Sequence, residues 1–579
     1  MDALTWTDAQ FEQARQRGDP PVDALVVELH RDPAFGRLGF NHLLALANKL
    51  AAASELVLVN DSVLGKQLGA MPPRFVDYFD PAPVPAWVDE EQLQIASRLW
   101  EENSLGMLIG LYLASLPACY LMKHGIVALY DTGKLASPQY ISQRVYETGL
   151  MVDAVLDPGG LKIVQDVEDE QELTLRALRQ LAPDGDWKAA GPRAVEGKSA
   201  APIEAVQLRR KRAELRRPPL RYVWGGGYVT VRKVRFLHAS MRYLLTHTEP
   251  VELSPAEQAS LHRSVTSAMR FRAQPWTAAE NGLPVNQEDL AYTLLTFGYT
   301  ILMALERVGC TFTLKERNAF LHLWKFVGHN LGIEDGLLPD NCEESRQLFE
   351  KIFQRQGGAS EQGVKLTAAL LDFLARLLPS FLCWRVNIAL PPVVIADVLG
   401  RERAALLFDE PTRARADSVI WRLLWFVCRA GLHLYFFGRN LLLRHVPPMA
   451  ELMGHFTHHV AEELIASCRD AFARQPFDVP KDASTWVVQY GVNEPFEKES
   501  AAWRQRVFSN FIGGLVALLA GGCLLAGAAV LLFWSRRWFG LIGAAGLIAI
   551  LIGVWVLGPH LKRVVAARPQ LDADTPPAS

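Results

Sequence analysis

The chain has 579 residues, half of them hydrophobic, and its 60 Lys and Arg nearly balance 62 Asp and Glu, so nothing in the global charge calls for nucleic acid and chain length does not limit the core. Seven scattered cysteines, at 119, 310, 342, 383, 428, 468 and 523, form no Cys-x-x-Cys pair. That excludes a zinc ribbon or a dithiol redox centre and predicts mostly buried, reduced thiols.

The amino terminus, MDALTWTDAQFEQARQRGDPP, has no apolar run behind a basic start, which reads as a main body in the cytoplasm with no cleaved export signal. Residues 1–90 are expected to form a helical extension. Beyond them, LWEENSLGMLIGLYLASLPACYLMKHGIVALYDTG is a long apolar helical segment broken near Pro117, and SPQYISQRVYETGLMVDAVLDPGG is an amphipathic one closed by Pro-Gly-Gly. The polar, Gly- and Pro-containing stretch 182–206 and the basic run RRKRAELRRPPLR at 209–221 read as an exposed insertion, its charges solvated or set against anionic headgroups. Helical periodicity resumes at 231–247 and continues through 255–272, 287–309, 314–332, 345–356, 363–383 and 417–474. Alternating strands and phosphate loops are absent; a GGG at 225–227 is too little to make one. At the carboxyl-terminal end, 508–534 and 538–558 are each long enough to cross a hydrocarbon core and carry no charge, and Arg504, Arg506, Lys562, Arg563 and Arg568 outnumber the turn's Arg536 and Arg537. The expectation is a membrane protein with two passes and its flanks on the cytoplasmic side.

Together these give an all-α fold. It comprises the extension at 1–90, a large helical-bundle core at 91–335 with the insertion at about 182–221, a further helical part of the same body at 336–485, a linker at 486–507, a transmembrane hairpin at 508–558 and a polar tail at 559–579.

Two polar stripes stand out. In VRKVRFLHASMRYLL, offsets of zero, three and seven put Arg235, His238 and Arg242 within about 60° of one another on an otherwise apolar helix. Two buried guanidiniums need anions, and no acid lies within four positions on that helix. A haem would answer both needs, with iron for the imidazole and propionates for the arginines; acids on another helix would satisfy the arginines equally. In SQRVYETGLMV, Arg144, Glu147 and Thr148 share a face, as an acid-base group over a substrate or as an ordinary helix ion pair with a capping Thr. A third cluster, His455, His458, His459 and Glu462, has helical metal-ligand spacing but reads as a packed or solvated face, and no Glu-x-x-His occurs for a di-iron bundle.

R-x-x-E-T at 144–148, R-x-x-H-x-x-x-R at 235–242, PVNQEDLAYTLLTFGYTILMALERVGCTFT at 284–313 and HLWKFVGHNLGI at 322–333 together resemble the catalytic domain of the latex-clearing proteins, or rubber oxygenases, a superfamily that includes the ER-bound oxygenase MpaB. The resemblance covers roughly 95–335. It implies an all-α domain holding haem b, His238 as proximal iron ligand, Arg235 and Arg242 as cofactor-binding residues, and oxidation of a C=C bond by O2. Glu147 stands where latex-clearing proteins have a lysine, which changes the distal side. With the hairpin, the expected partners are the lipid bilayer and an isoprenoid or other hydrophobic, unsaturated small molecule. The competing readings are a non-catalytic membrane scaffold or lipid-binding protein, and a haem sensor.

Overall fold

The computed structural model describes residues 6–31, 84–131, 138–161, 223–247, 276–377, 384–445, 457–464, 494–531 and 536–568, with isolated positions at 74, 75, 78, 163, 164 and 211. The insertion at 182–206 and His455 lie outside the described residues.

The fold is helical, as its periodicity predicts. Its described strand content is one antiparallel ladder of two residues a side, Ile163–Val164 with Val223–Trp224. Helices α1 (Asp8–Arg15) and α2 (Pro20–Arg31) open the chain. Thr7 and Gln10 close α1 with a reciprocal capping box, and Val22, Leu25, Val26 and Leu29 are the buried stripe of α2. Helix α3 (Glu90–Gly110), capped by Asp89, runs into a π turn at Leu111–Ser115 just before Pro117. A proline ring clashes with the carbonyl four residues back, and the wider π turn accommodates it. Helix α4 (Pro138–Leu156) follows, then α5 (Gly226–Thr246), which carries the 235–242 stripe and packs on both α4 and α2.

Helix α6 (Gln287–Leu295) continues through a second π turn, Thr296–Thr300, into Ile301–Arg307. The two π turns touch, with Ser115 Oγ donating to Thr296 Oγ1 at 3.2 Å. Helix α7 (Leu314–Asn330) lies along α3; after it come α8 (Cys342–Gln356), α9 (Glu361–Leu377) and α10 (Trp384–Leu399). One continuous apolar core joins α1 to α10, from Phe11 and Trp100 through Tyr292 and Trp324 to Leu370 and Ile395. The extension at 1–90 thus contributes Trp6, Phe11 and Ala14 to this core.

Helix α11 (Glu410–Asp417) leads into α12 (Val419–His445). The last elements are α13 (Glu494–Leu531), α14 (Arg536–Trp555) and, after a π turn at Val556–His560, α15 (Leu561–Ala566). Helices α13 and α14 pack so closely that a Cβ on Gly521 would lie 2.7 Å from the Gly546 carbonyl oxygen, the tight approach that small residues allow.

Two expected boundaries change. The linker at 486–507 is, from Glu494 onward, the first turns of α13, with Trp503 and Arg504 buried. The polar tail begins as α15: Leu561 and Val565 bury against Trp503, whose Nε1 donates to the Val564 carbonyl at 2.7 Å. Among the described residues, the helix long and apolar enough to cross a membrane is Val419–Leu441 of α12; α14 contributes a shorter apolar stretch, Ile542–Gly553. This differs from the expected pair of spans and adds a helix to which the periodicity gave no membrane role.

Candidate functional site

Helix α5 begins where three glycines meet the Pro-Gly-Gly turn that ends α4. The Tyr228 amide donates to the Gly160 carbonyl at 2.9 Å, and a Cβ on Gly227 would collide with the Ala154 carbonyl. The GGG at 225–227 is thus a close approach of backbones, which glycine alone permits. It seats α5 against α4, so the helices carrying the two polar stripes are neighbours.

The anions sought for the stripe are on the protein. Arg235 donates through Nε to Asp19 Oδ2 at 2.5 Å and through Nη2 to Asp19 Oδ1 at 2.8 Å, a bidentate pair with Asp19 only 3% exposed. Arg242, equally buried, donates through Nε to Asp23 Oδ1 at 2.8 Å and through Nη1 to the Val285 carbonyl at 2.7 Å. Asp23 also accepts from the Asp19 amide at 2.9 Å, so the start of α2 presents both carboxylates as one unit. Val285 has φ 51°, the one positive φ at a non-glycine among the described residues, and this strained turn aims its carbonyl at Arg242. Gln287, buried beside it, donates to the Gly18 and Gly332 carbonyls at 2.7 and 2.9 Å and accepts from the Glu334 amide at 2.9 Å. Gly332 has φ 81°, and a Cβ there would press on Arg235 Nε and Asp19 Oδ2 at 2.6 Å.

Of the two ways the sequence leaves open to compensate Arg235 and Arg242, haem propionates or acids on another helix, acids of the N-terminal segment lie against both. Sequence reasoning gave Asp19, Asp23, Val285 and Gln287 no role. The available signal was GDPPVD at 18–23, an Asp before two prolines at a helix start with a second Asp four residues on.

His238 lies between the two clamped arginines, half-buried, with its Nδ1 atom enclosed. A third arginine on the helix, Arg232, donates to the Tyr78 carbonyl, with Nε at 3.0 Å, and lies over the Tyr78 ring. On α4, Thr148 is half-buried, while the side chains of Arg144 and Glu147 lie outside the described residues. As a haem site the arrangement fits in one half only. An imidazole on a helix held from both sides is a suitable axial donor, whereas the arginines are already engaged. Two small cavities are lined by Leu294, Gly298, Tyr299 and Trp324 and by Leu105, Tyr112, Leu377 and Phe508; His238 lines neither.

The other candidates have ordinary structural roles. His458 sits 3.5 Å from Asp157 Oδ1 and from Glu462 Oε1, His459 is exposed, and no three described His, Cys, Asp or Glu residues are grouped to hold a metal. The hydrogen bond to Asp157 pushes the His458 pKa up, and burial pushes nearby Asp153 to about 6. His329 meets Asp335 at 3.0 Å on the surface. Of the acidic pair at the start of α6, Glu288 is buried and Asp289 half-buried. Arg355 holds Glu288 at 3.1 Å, while burial and then the neighbouring Glu288 raise Asp289 to about 7.

Residues 217–430 match the family described as ER-bound oxygenase mpaB/B'/rubber oxygenase, catalytic domain. The match contains Arg235, His238 and Arg242, starts after Arg144, Glu147 and Thr148, and continues well beyond 335, the limit of the sequence resemblance. The rubber oxygenase of Streptomyces sp. (strain K30) is 23% identical over 155 residues, 26% of this chain and 32% of that protein, so the aligned stretch spans about a third of that relative. The solved latex clearing protein LCP in its closed state superposes with a TM-score of 0.43 at 17% identity, over 72% of this chain and 84% of that one. Over residues 217–430, a little over a third of its length, the chain is similar to the catalytic domain shared by the latex-clearing proteins, or rubber oxygenases, and the ER-bound oxygenase MpaB.

Proposed function

We propose that this protein is a haem b-dependent oxygenase that uses O2 to oxidise or cleave a C=C bond of an isoprenoid or another unsaturated, lipid-like molecule, and that α13 and α14 anchor it in a membrane. The observation that carries the reading is His238, inside the family-matched stretch and held between two ion pairs on a helix that packs against α4. A bound haem would supply the redox-active iron at which dioxygen is reduced. His238 would donate one imidazole nitrogen to it. The Asp19 and Asp23 pairs fix the helix one turn before and one turn after that ring, and so fix the direction of the donor. Thr148, with Arg144 and Glu147 on α4, would supply the hydroxyl, cation and carboxylate that bind or move a proton at the substrate. The propionates would find partners other than Arg235 and Arg242.

Protein purified from haem-replete cells is expected to show a Soret band and a b-type pyridine haemochrome, both lost or shifted in His238→Ala. A colourless, iron-free preparation, or an unchanged spectrum and haem content in that variant, rejects the assignment. One observation favours a second reading: both arginines are satisfied by protein carboxylates, as expected if the domain kept its fold as a non-catalytic membrane scaffold or lipid-binding protein. Oxygen uptake with unsaturated lipids separates them, since a scaffold or lipid-binding protein consumes none.

A further inference from the structure

Helix α12 has its polarity inside out. Four of its polar side chains point into the body and are used there, while Arg422 near its start and His433 are exposed: Arg429 donates to both oxygens of Asp397 at 2.9 Å, Trp425 Nε1 to the same carboxylate at 3.0 Å, Arg439 to the Glu102 carbonyl at 2.8 Å and Asn440 to Thr311 Oγ1 at 2.8 Å. On the opposite side Val419, Ile420, Leu423, Phe426, Val427, Leu434, Phe437 and Leu441 recur every three or four residues and are exposed, from 49% at Leu434 to 75% at Val419. At roughly 100 Å² each, these eight side chains present about 800 Å² of apolar surface, more than the roughly 300–600 Å² of the largest patch on a typical soluble monomer. A helix at a water boundary has the reverse arrangement.

Two further observations name what covers this face. The apolar stretch has 23 residues, about 35 Å of helix, which matches a hydrocarbon core of about 30 Å, and exposed Arg415 and Arg422 lie at its amino-terminal border, where basic side chains meet lipid phosphates. Helix α12 also touches α13, whose hairpin exposes Val516, Leu524, Leu547, Ile548, Leu551 and Ile552, so the apolar face continues onto the proposed anchor. We propose that the outward face of α12 lies among the acyl chains of the bilayer, as a second membrane contact beside the hairpin. The body is then held against lipid by one of its own helices, with its inward side closed by Asp397, Glu102 and Thr311. The inference goes beyond the anchor read from the hairpin and does not depend on haem.

The test uses full-length protein in phosphatidylcholine vesicles, with a bimane probe on cysteines introduced singly as Phe426→Cys and Phe437→Cys, read against the parent protein labelled on its native cysteines. Leu551→Cys on α14 and Glu410→Cys on α11 are the controls. Replacing the lipid by one brominated in its acyl chains is expected to quench the probes at 426 and 437 as strongly as at 551 and to leave 410 unchanged, while iodide in the buffer quenches only 410. Quenching of 426 and 437 by iodide and not by bromine overturns the proposal. So does protection from both quenchers with bismaleimide cross-linking of 426 between copies, which makes the face a dimer contact. Loss of bromine quenching at 551 alone rejects the hairpin anchor and leaves α12 standing.

Discussion

Replacing Asp19 by alanine tests the central structural claim, that the stripe on α5 is held by protein acids. The substitution removes two charge-assisted hydrogen bonds, at 2.5 and 2.8 Å, and leaves Arg235 with one long contact to the Asn330 carbonyl at 3.4 Å. Both partners are nearly out of water, at 15% and 3% side-chain exposure, so the stranded guanidinium is not rescued by solvent. Breaking one side of such a pair costs about 3–5 kcal/mol. For a large domain that corresponds to a fall of roughly 5–10 °C in thermal midpoint. Arg235→Leu alone strands Asp19 and should cost a similar amount. The double variant Asp19→Ala/Arg235→Leu leaves no unpaired charge and should be more stable than the sum of the singles by at least about 2 kcal/mol. Differential scanning calorimetry in one detergent, on all four proteins, measures the cycle. Additivity within about 0.5 kcal/mol would refute the pairing and return Arg235 to the pool of residues waiting for a cofactor.

Three further outcomes follow from the same geometry. Gly332→Ala forces a side chain into the left-handed region against the Arg235 and Asp19 pair, for about 1–3 kcal/mol, measured as a shift in urea midpoint; an unchanged midpoint contradicts the close approach. Asp289 binds its proton more tightly folded, near pH 7, than unfolded, so its contribution is full below its unfolded pKa and falls as pH rises through about 7. Asp289→Asn should flatten that part of the stability profile between about pH 4 and 7, and an equal slope in both proteins refutes it. Trp503→Ala empties a fully buried site and frees the Val564 carbonyl, for about 3–5 kcal/mol; faster proteolysis at the foot of α13 is the readout, with unchanged cleavage the contrary result.

What the chain discloses by itself is what recurs locally. The helices of the body follow from apolar spacing, and the stripe of Arg235, His238 and Arg242 follows from helical geometry. What it withholds is pairing at a distance: Asp19 and Asp23 meet their arginines across 216 and 219 residues, and no periodicity carries that information. Helix α12 was legible as a helix but not as a boundary, because periodicity says that one side differs from the other without saying which side is wet. Asp397 and the Glu102 carbonyl, which take up Arg429 and Arg439, lie far from them in the chain. The glycines at 225–227, too few for a phosphate loop, carry no sequence sign of their use, which is to let two backbones touch.

The N-terminal pairing also changes what the stripe is for. Were the arginines to meet propionates, α5 would reach its final position only with cofactor present. Paired with Asp19 and Asp23, and with Val285 strained to complete the contact to Arg242, the helix is set by the polypeptide, and His238 is oriented before any ligand arrives. A site organised this way should keep its fold without haem: the thermal midpoint of His238→Ala should match that of haem-free parent protein, while Asp19→Ala should lower the midpoint whether or not haem is bound. If instead the haem-free parent unfolds as readily as Asp19→Ala, cofactor binding contributes to seating α5, and the ion pairs alone are not enough to hold it.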